Sequence, residues 1–120
     1  MAVRLSDRGM PEPDVLVVTA VAFARDDPST YYYAEDVILA VEVVLPDSRE
    51  RDREIKPTRY AAARILHYWR VEQRDTDTVV YAYELDPATN SYGPVGIFNE
   101  RLTTAVPFHV DIDLTEIGRR

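Results

Sequence analysis

Residues 37–71 read VILAVEVVLPDSRERDREIKPTRYAAARILHYWRV, and this stretch decides the fold. Its first nine residues are apolar except for Glu42, so Val37–Leu45 predicts a strand covered on both faces. Pro46, Asp47 and Ser48 end it, with Asp47 or Ser48 as a good helix N-cap. A helix is predicted over 49–63, kinked or restarted at Pro57, whose ring removes a backbone donor and clashes with the preceding turn. Ile55, Tyr60, Ala62 and Ala63 would face the sheet. The next apolar run, His67–Val71, is a second strand. A strand returning parallel after a crossover helix makes a right-handed βαβ unit. Glu42 is the misfit. An unpaired carboxylate inside such a strand is costly enough that a metal ion or a lysine must compensate it.

Working outward, residues 1–10 are a polar lead-in and 11–117 form one domain, with Gly9, Pro11 and Pro13 arguing against regular structure at the start. Asp14 precedes VLVV, a short β-branched run that predicts a buried strand. Residues 24–36, ARDDPSTYYYAED, read as a loop. Their three consecutive tyrosines, Tyr31 to Tyr33, are expected to cover an exposed edge of the core. Thr78–Leu85 alternates as a strand, DPATNS is a turn, Gly93–Phe98 is the hairpin partner, and Val106–Leu114 is a last strand. The whole reads as α/β: a mixed sheet with a βαβ crossover helix and an antiparallel C-terminal portion.

At 120 residues, 46% hydrophobic and 29% charged, the chain is expected to fold as one modest core. It has no cysteine, which excludes disulfides, thiol nucleophiles and cysteine-based metal sites. The N-terminus has no apolar signal region and no run approaches a membrane span, so a soluble, cytoplasmic protein without a membrane partner is expected. A net charge of −7 argues against a broad electrostatic grip on nucleic acid. Acids that bind a metal are nonetheless compatible with nucleic-acid chemistry. Arg49, Arg51, Arg53, Lys56, Arg59, Arg64 and Arg70 crowd one part of this acidic chain and suggest a local basic face.

Asp14 at the head of one strand, Glu42 inside the next and Lys56 on the following helix are the candidate chemical residues. Two carboxylates on adjacent strands suit a hard cation, Mg²⁺ or Mn²⁺, and leave positions for water and phosphate. A lysine leaning back from the helix would orient or deprotonate the attacking water of a phosphodiester hydrolysis. Each residue also has a plainer reading. Glu42 would pair with an arginine or lysine, Asp14 would cap a turn after proline, and Lys56 would pair with Asp52 four residues earlier. Tyr60, four residues after Lys56, shares its helix face and is expected to pack, as are Tyr68 and Trp69. His67 and His109 fit no ligand spacing, and Asp111 and Asp113 fit a solvent face. No glycine-rich phosphate loop, serine elbow or paired-histidine zinc motif is present.

PEPDVLVV, DVILAVEVVLPDSRERDREIKPTRYAAA and HYWRVE together resemble the Uma2 (DUF820) endonuclease family of the PD-(D/E)xK nuclease superfamily, over about residues 11–115. The resemblance implies a restriction-endonuclease-like fold and Mg²⁺-dependent hydrolysis of DNA. It places metal ligation on Asp14, Glu42 and the carbonyl of Val43, and water activation on Lys56. Val44 stands at the usual E-x-K lysine position, so the helix supplies that lysine instead. Leu45 replaces the family's serine, and Arg64-Ile65-Leu66 replaces its Gly-Ile/Val-Pro turn. The resemblance also implies a preceding segment with a helix and the first strands, so a truncated member that regains cover as a homodimer is expected. The alternative is a non-catalytic remnant serving as a binding or oligomerisation module.

Overall fold

The computed structural model describes residues 2–4, 13–24, 31–44, 57–74 and 77–116. Among the described residues nine strands run in order: β1 Ala2–Arg4, β2 Val15–Val18, β3 Tyr31–Tyr33, β4 Val37–Val44, β5 His67–Arg74, β6 Asp77–Asp86, β7 Ser91–Phe98, β8 Arg101–Thr104 and β9 Val110–Asp113. A short helix α1, Ala20–Phe23, follows β2, and a second helix α2 covers 57–62. Among the described residues the architecture is therefore mixed α/β and mostly strand.

β2–β4–β5–β6–β7 form a five-stranded mixed sheet. β4 and β5 are parallel neighbours with α2 between them in sequence, while the pairs on either side are antiparallel. β8 and β9 make a separate antiparallel hairpin, and β1 pairs with β3 in parallel. The predicted strand around Glu42, the parallel return and the antiparallel C-terminal portion are all present. Three local expectations are corrected. Residues 2–4 form a strand rather than an irregular lead-in, because their backbone pairs with β3. The segment read as a loop holds β3 and a 3-10 turn at Ala34–Asp36, whose carboxylate accepts the Tyr33 N–H at 3.0 Å. β8 was not anticipated, and it supplies the pairing that makes β9 a strand. The predicted helical stretch 49–56, with Asp52, Ile55 and Lys56, lies outside the described residues.

The strand period of two sorts β4 and β5 onto two faces. Leu39, Val41 and Trp69 join Val80, Ala82, Leu102 and Leu114 on one side. Ala40 and Tyr68 join Tyr60 and Ile65 on the other, beneath α2, and Val37, beside the register shift at the start of β4, packs with them out of that period. Ala61 is buried there while Ala62 is exposed, so the helix presents Tyr60 and Ala61 rather than the expected Ala62. α2 ends in a Schellman arrangement. The Ile65 N–H reaches the Tyr60 carbonyl at 3.1 Å and the Arg64 N–H reaches that of Ala61 at 3.0 Å. Arg64 sits at φ 65°, a left-handed conformation that favours glycine.

Candidate active site

The end of the β2–β4 ladder builds the site. β2 runs opposite β4 with Val15 facing Val41. Extending that register by one hydrogen-bonding step sets Pro13 opposite Val43. A proline has no N–H to give, and residues paired this way point both their N–H and C=O toward the partner strand. The Val43 carbonyl is therefore left without a ladder donor from Pro13. The Val43 N–H is taken instead by the side chain of Asp14, whose Oδ2 accepts it at 2.7 Å. Pro13 is buried and Asp14 exposed, so the carboxylate stands at the solvent edge. It is hooked onto the residue that follows Glu42.

Glu42 is 1% exposed, on the face covered by α2. The Tyr60 hydroxyl, on a side chain with no exposure, donates to Glu42 Oε1. Burial raises the Tyr60 pKa, and the hydrogen bond and charge of Glu42 push it further, with lesser contributions from Tyr68 and Asp14. The phenol therefore stays protonated and remains a donor at any ordinary pH.

Across β4 and β5, Glu42 faces Arg70 and Val44 faces Glu72 in register. Arg70 does not serve Glu42 here. Its Nε donates to Glu72 Oε2 at 2.7 Å, and Glu72 has no exposure. The guanidinium also lies 4.4 Å from the Tyr81 ring centroid and 5.5 Å from that of Tyr83. One face thus carries a row from Asp14 through Glu42 to Arg70 and Tyr81, with a second buried acid beside it.

The structure brings Asp14, Glu42 and Val43 together, while Lys56 lies outside the described residues. Two carboxylates and a backbone carbonyl are an all-oxygen set, the chemistry of a Mg²⁺ or Mn²⁺ site. Among the described residues no cluster of three or more His, Cys, Asp or Glu side chains forms a metal cage. The chain's family model match spans residues 1–115, for the family described as "Putative restriction endonuclease". The chain belongs to the Uma2 family. No curated protein matches the sequence closely enough to count as a relative.

The Uma2 match takes in every residue of the row and begins at residue 1. The sequence reading missed two features of this site. Tyr60 was assigned to packing; it packs, and its hydroxyl also holds Glu42. Arg70 and Glu72 were overlooked as a pair, although an Arg-x-Glu spacing on a strand puts both side chains on one face. Asp111 and Asp113 follow their plainer reading. Asp111 accepts from Arg101 at 2.5 Å, and Asp113 accepts from Thr115.

Proposed function

We propose that this Uma2 protein is a Mg²⁺-dependent endonuclease of PD-(D/E)xK type, hydrolysing a phosphodiester bond in DNA. The observation that carries the reading is the Asp14 carboxylate hooked onto the Val43 N–H beside buried Glu42. A carboxylate this deeply buried is costly unless it is compensated. Glu42 already has the Tyr60 bond and a further interaction; a divalent cation held by Asp14, Glu42 and the Val43 carbonyl would add positive charge, polarise the phosphate and lower the pKa of water. The protein's own part is positional. Pro13 offers the Val43 carbonyl no N–H, Tyr60 fixes one oxygen of Glu42, and Asp14 stays at the solvent edge where a phosphate arrives. Lys56, which precedes α2 in the sequence, orients or deprotonates the attacking water.

A second reading is favoured by the Tyr60 bond itself, since a hydrogen-bonded buried glutamate also suits a structural core. In that case the chain is a non-catalytic member that binds or assembles. Calorimetry with Mg²⁺ and Mn²⁺, together with plasmid nicking, separates the two on wild type and Glu42→Gln. The nuclease reading expects wild type to bind metal and nick, and Glu42→Gln to lose both. Nicking that survives in Glu42→Gln, or a wild type that does neither, rejects it.

A further inference from the structure

Beside the row lies a cavity of about 350 Å³, against Arg70, Tyr68, Tyr83, Tyr92 and Asn90, with Ala62 contributed by α2. We propose that it is a nucleobase subsite, holding an unstacked guanine of the strand next to the scissile bond. This rests on the nuclease reading and names what the same site recognises. The volume is at the small end of pockets that enclose a ligand.

Tyr68 stacks on Tyr83 at 5.8 Å and 28°, and on Tyr92 at 5.5 Å and 29°. Tyr68 itself is fully buried, so the open aromatic surface is that of Tyr83 and Tyr92, on which an unpaired base can stack. It is also fixed in place, because the Tyr92 hydroxyl donates to the Ile65 carbonyl at 2.6 Å. At the rim, Asn90 takes φ 55° in the turn between β6 and β7 and brings a carboxamide to the cavity.

Charge argues for a base rather than a phosphate as the occupant. Among the described residues Arg70 is paired with Glu72, and Glu42 stands opposite it on the neighbouring strand, so a dianion at Arg70 would sit beside two carboxylates. A neutral base meets no such penalty. The Arg70 Nε is spent on Glu72, and among the described residues the terminal amino groups have no hydrogen-bond acceptor. They are donors in search of paired acceptors, which guanine presents as O6 and N7. Glu72 and the Tyr81 ring hold the guanidinium in one orientation. Adjacent strands lie about 4.8 Å apart, so the subsite is within a nucleotide's reach of Glu42.

The test is a metal-free calorimetric titration of the full chain with guanosine 5′-monophosphate and with ribose 5-phosphate. The nucleotide is expected to bind at least tenfold more tightly than the sugar phosphate. Ala62→Trp fills the cavity from an exposed helix position and should weaken nucleotide binding at least tenfold without lowering the melting temperature. The paired change Arg70→Met with Glu72→Met removes both charges together and should also abolish it. Equal binding of the sugar phosphate, or full binding by Ala62→Trp, overturns the subsite. The two proposals fail separately. A wild type that nicks DNA but binds no nucleotide sinks only the subsite. One that binds the nucleotide through Arg70, yet neither binds metal nor nicks, sinks only the nuclease.

Discussion

Tyr60→Phe is the sharpest perturbation of the site, because it removes one oxygen from a ring that has no solvent exposure and leaves the packing in place. What is lost is the donor to Glu42 Oε1 on an acceptor that is itself 1% exposed. Hydrogen bonds to charged groups contribute about 1.5–3 kcal/mol, and a buried acceptor deprived of its donor costs a similar amount. Glu42 keeps a further interaction, so about 2 kcal/mol is the expected loss. For a chain of 120 residues that lowers the melting temperature by about 8 °C, taking roughly 2.1 cal/mol/K of unfolding entropy per residue. Urea denaturation with Tyr60→Phe, Glu42→Gln and the double variant closes a cycle that isolates the pair. The alkaline arm adds a second readout. Burial, then Glu42, holds the folded Tyr60 pKa above its unfolded value of 10.0. Its contribution is whole below pH 10 and is lost as pH rises further, by up to about 1.4 kcal/mol per pH unit. Tyr60→Phe should flatten that fall, leaving the part due to Tyr92, whose hydroxyl is likewise raised by burial. A loss below about 0.5 kcal/mol, the range of an ordinary surface change, with an unaltered alkaline slope would refute the account of how Glu42 is held.

Arg64→Gly should stabilise the fold by about 1 kcal/mol, since a left-handed residue with a Cβ costs roughly 1–2 kcal/mol and glycine gives back part in chain entropy. A melting temperature that falls instead would show that the Arg64 side chain does more than occupy a strained turn. His67 is held below its ordinary value of 6.5 by burial, partly offset by Glu84. The unfolded chain therefore takes up the proton first, and stability drops as pH falls from 6.5 through the depressed value. His67→Gln should shallow that decline in acid melts, and an identical profile would contradict it. Lys56→Met tests the assigned water-activating role. Nicking should slow by about 10²–10⁴-fold while Mg²⁺ affinity stays near wild type, and a parallel loss of affinity would make Lys56 part of the metal site instead.

The elements visible in the sequence were those whose cause is local. Val37–Val44 is a strand because its residues are apolar and β-branched, and it is β4. The DPATNS turn chemistry gave the β6–β7 hairpin. β1, β3 and β8 were missed because each is a short strand of three or four residues whose existence depends on a distant partner. No period develops over so few positions. The same division runs through the site. Glu42 announced itself by breaking an apolar run, but its partner Tyr60 sits 18 residues away and looked like any core aromatic. Charge counting suggested a basic face; Arg70 turns inward to Glu72, Arg59 and Arg64 are exposed, and Arg49, Arg51, Arg53 and Lys56 lie outside the described residues.

The Pro-Asp dipeptide shows why sequence and site coincide here. Proline at position 13 fails to donate where the ladder would require it, and aspartate at 14 supplies the acceptor that Pro13 no longer aligns for the Val43 N–H. A break in strand pairing is thereby converted into a carboxylate, and a carbonyl to which Pro13 can give no hydrogen bond, on adjacent strands. If that is the origin of the site, restoring a donor at position 13 should harm it without touching a ligand. Pro13→Val lets the ladder continue to Val43 and draws its carbonyl back into pairing. The expected result is a fold as stable as wild type with weakened Mn²⁺ binding. Undiminished metal affinity in Pro13→Val would mean that the Val43 carbonyl is no ligand, and that Asp14 and Glu42 act without it.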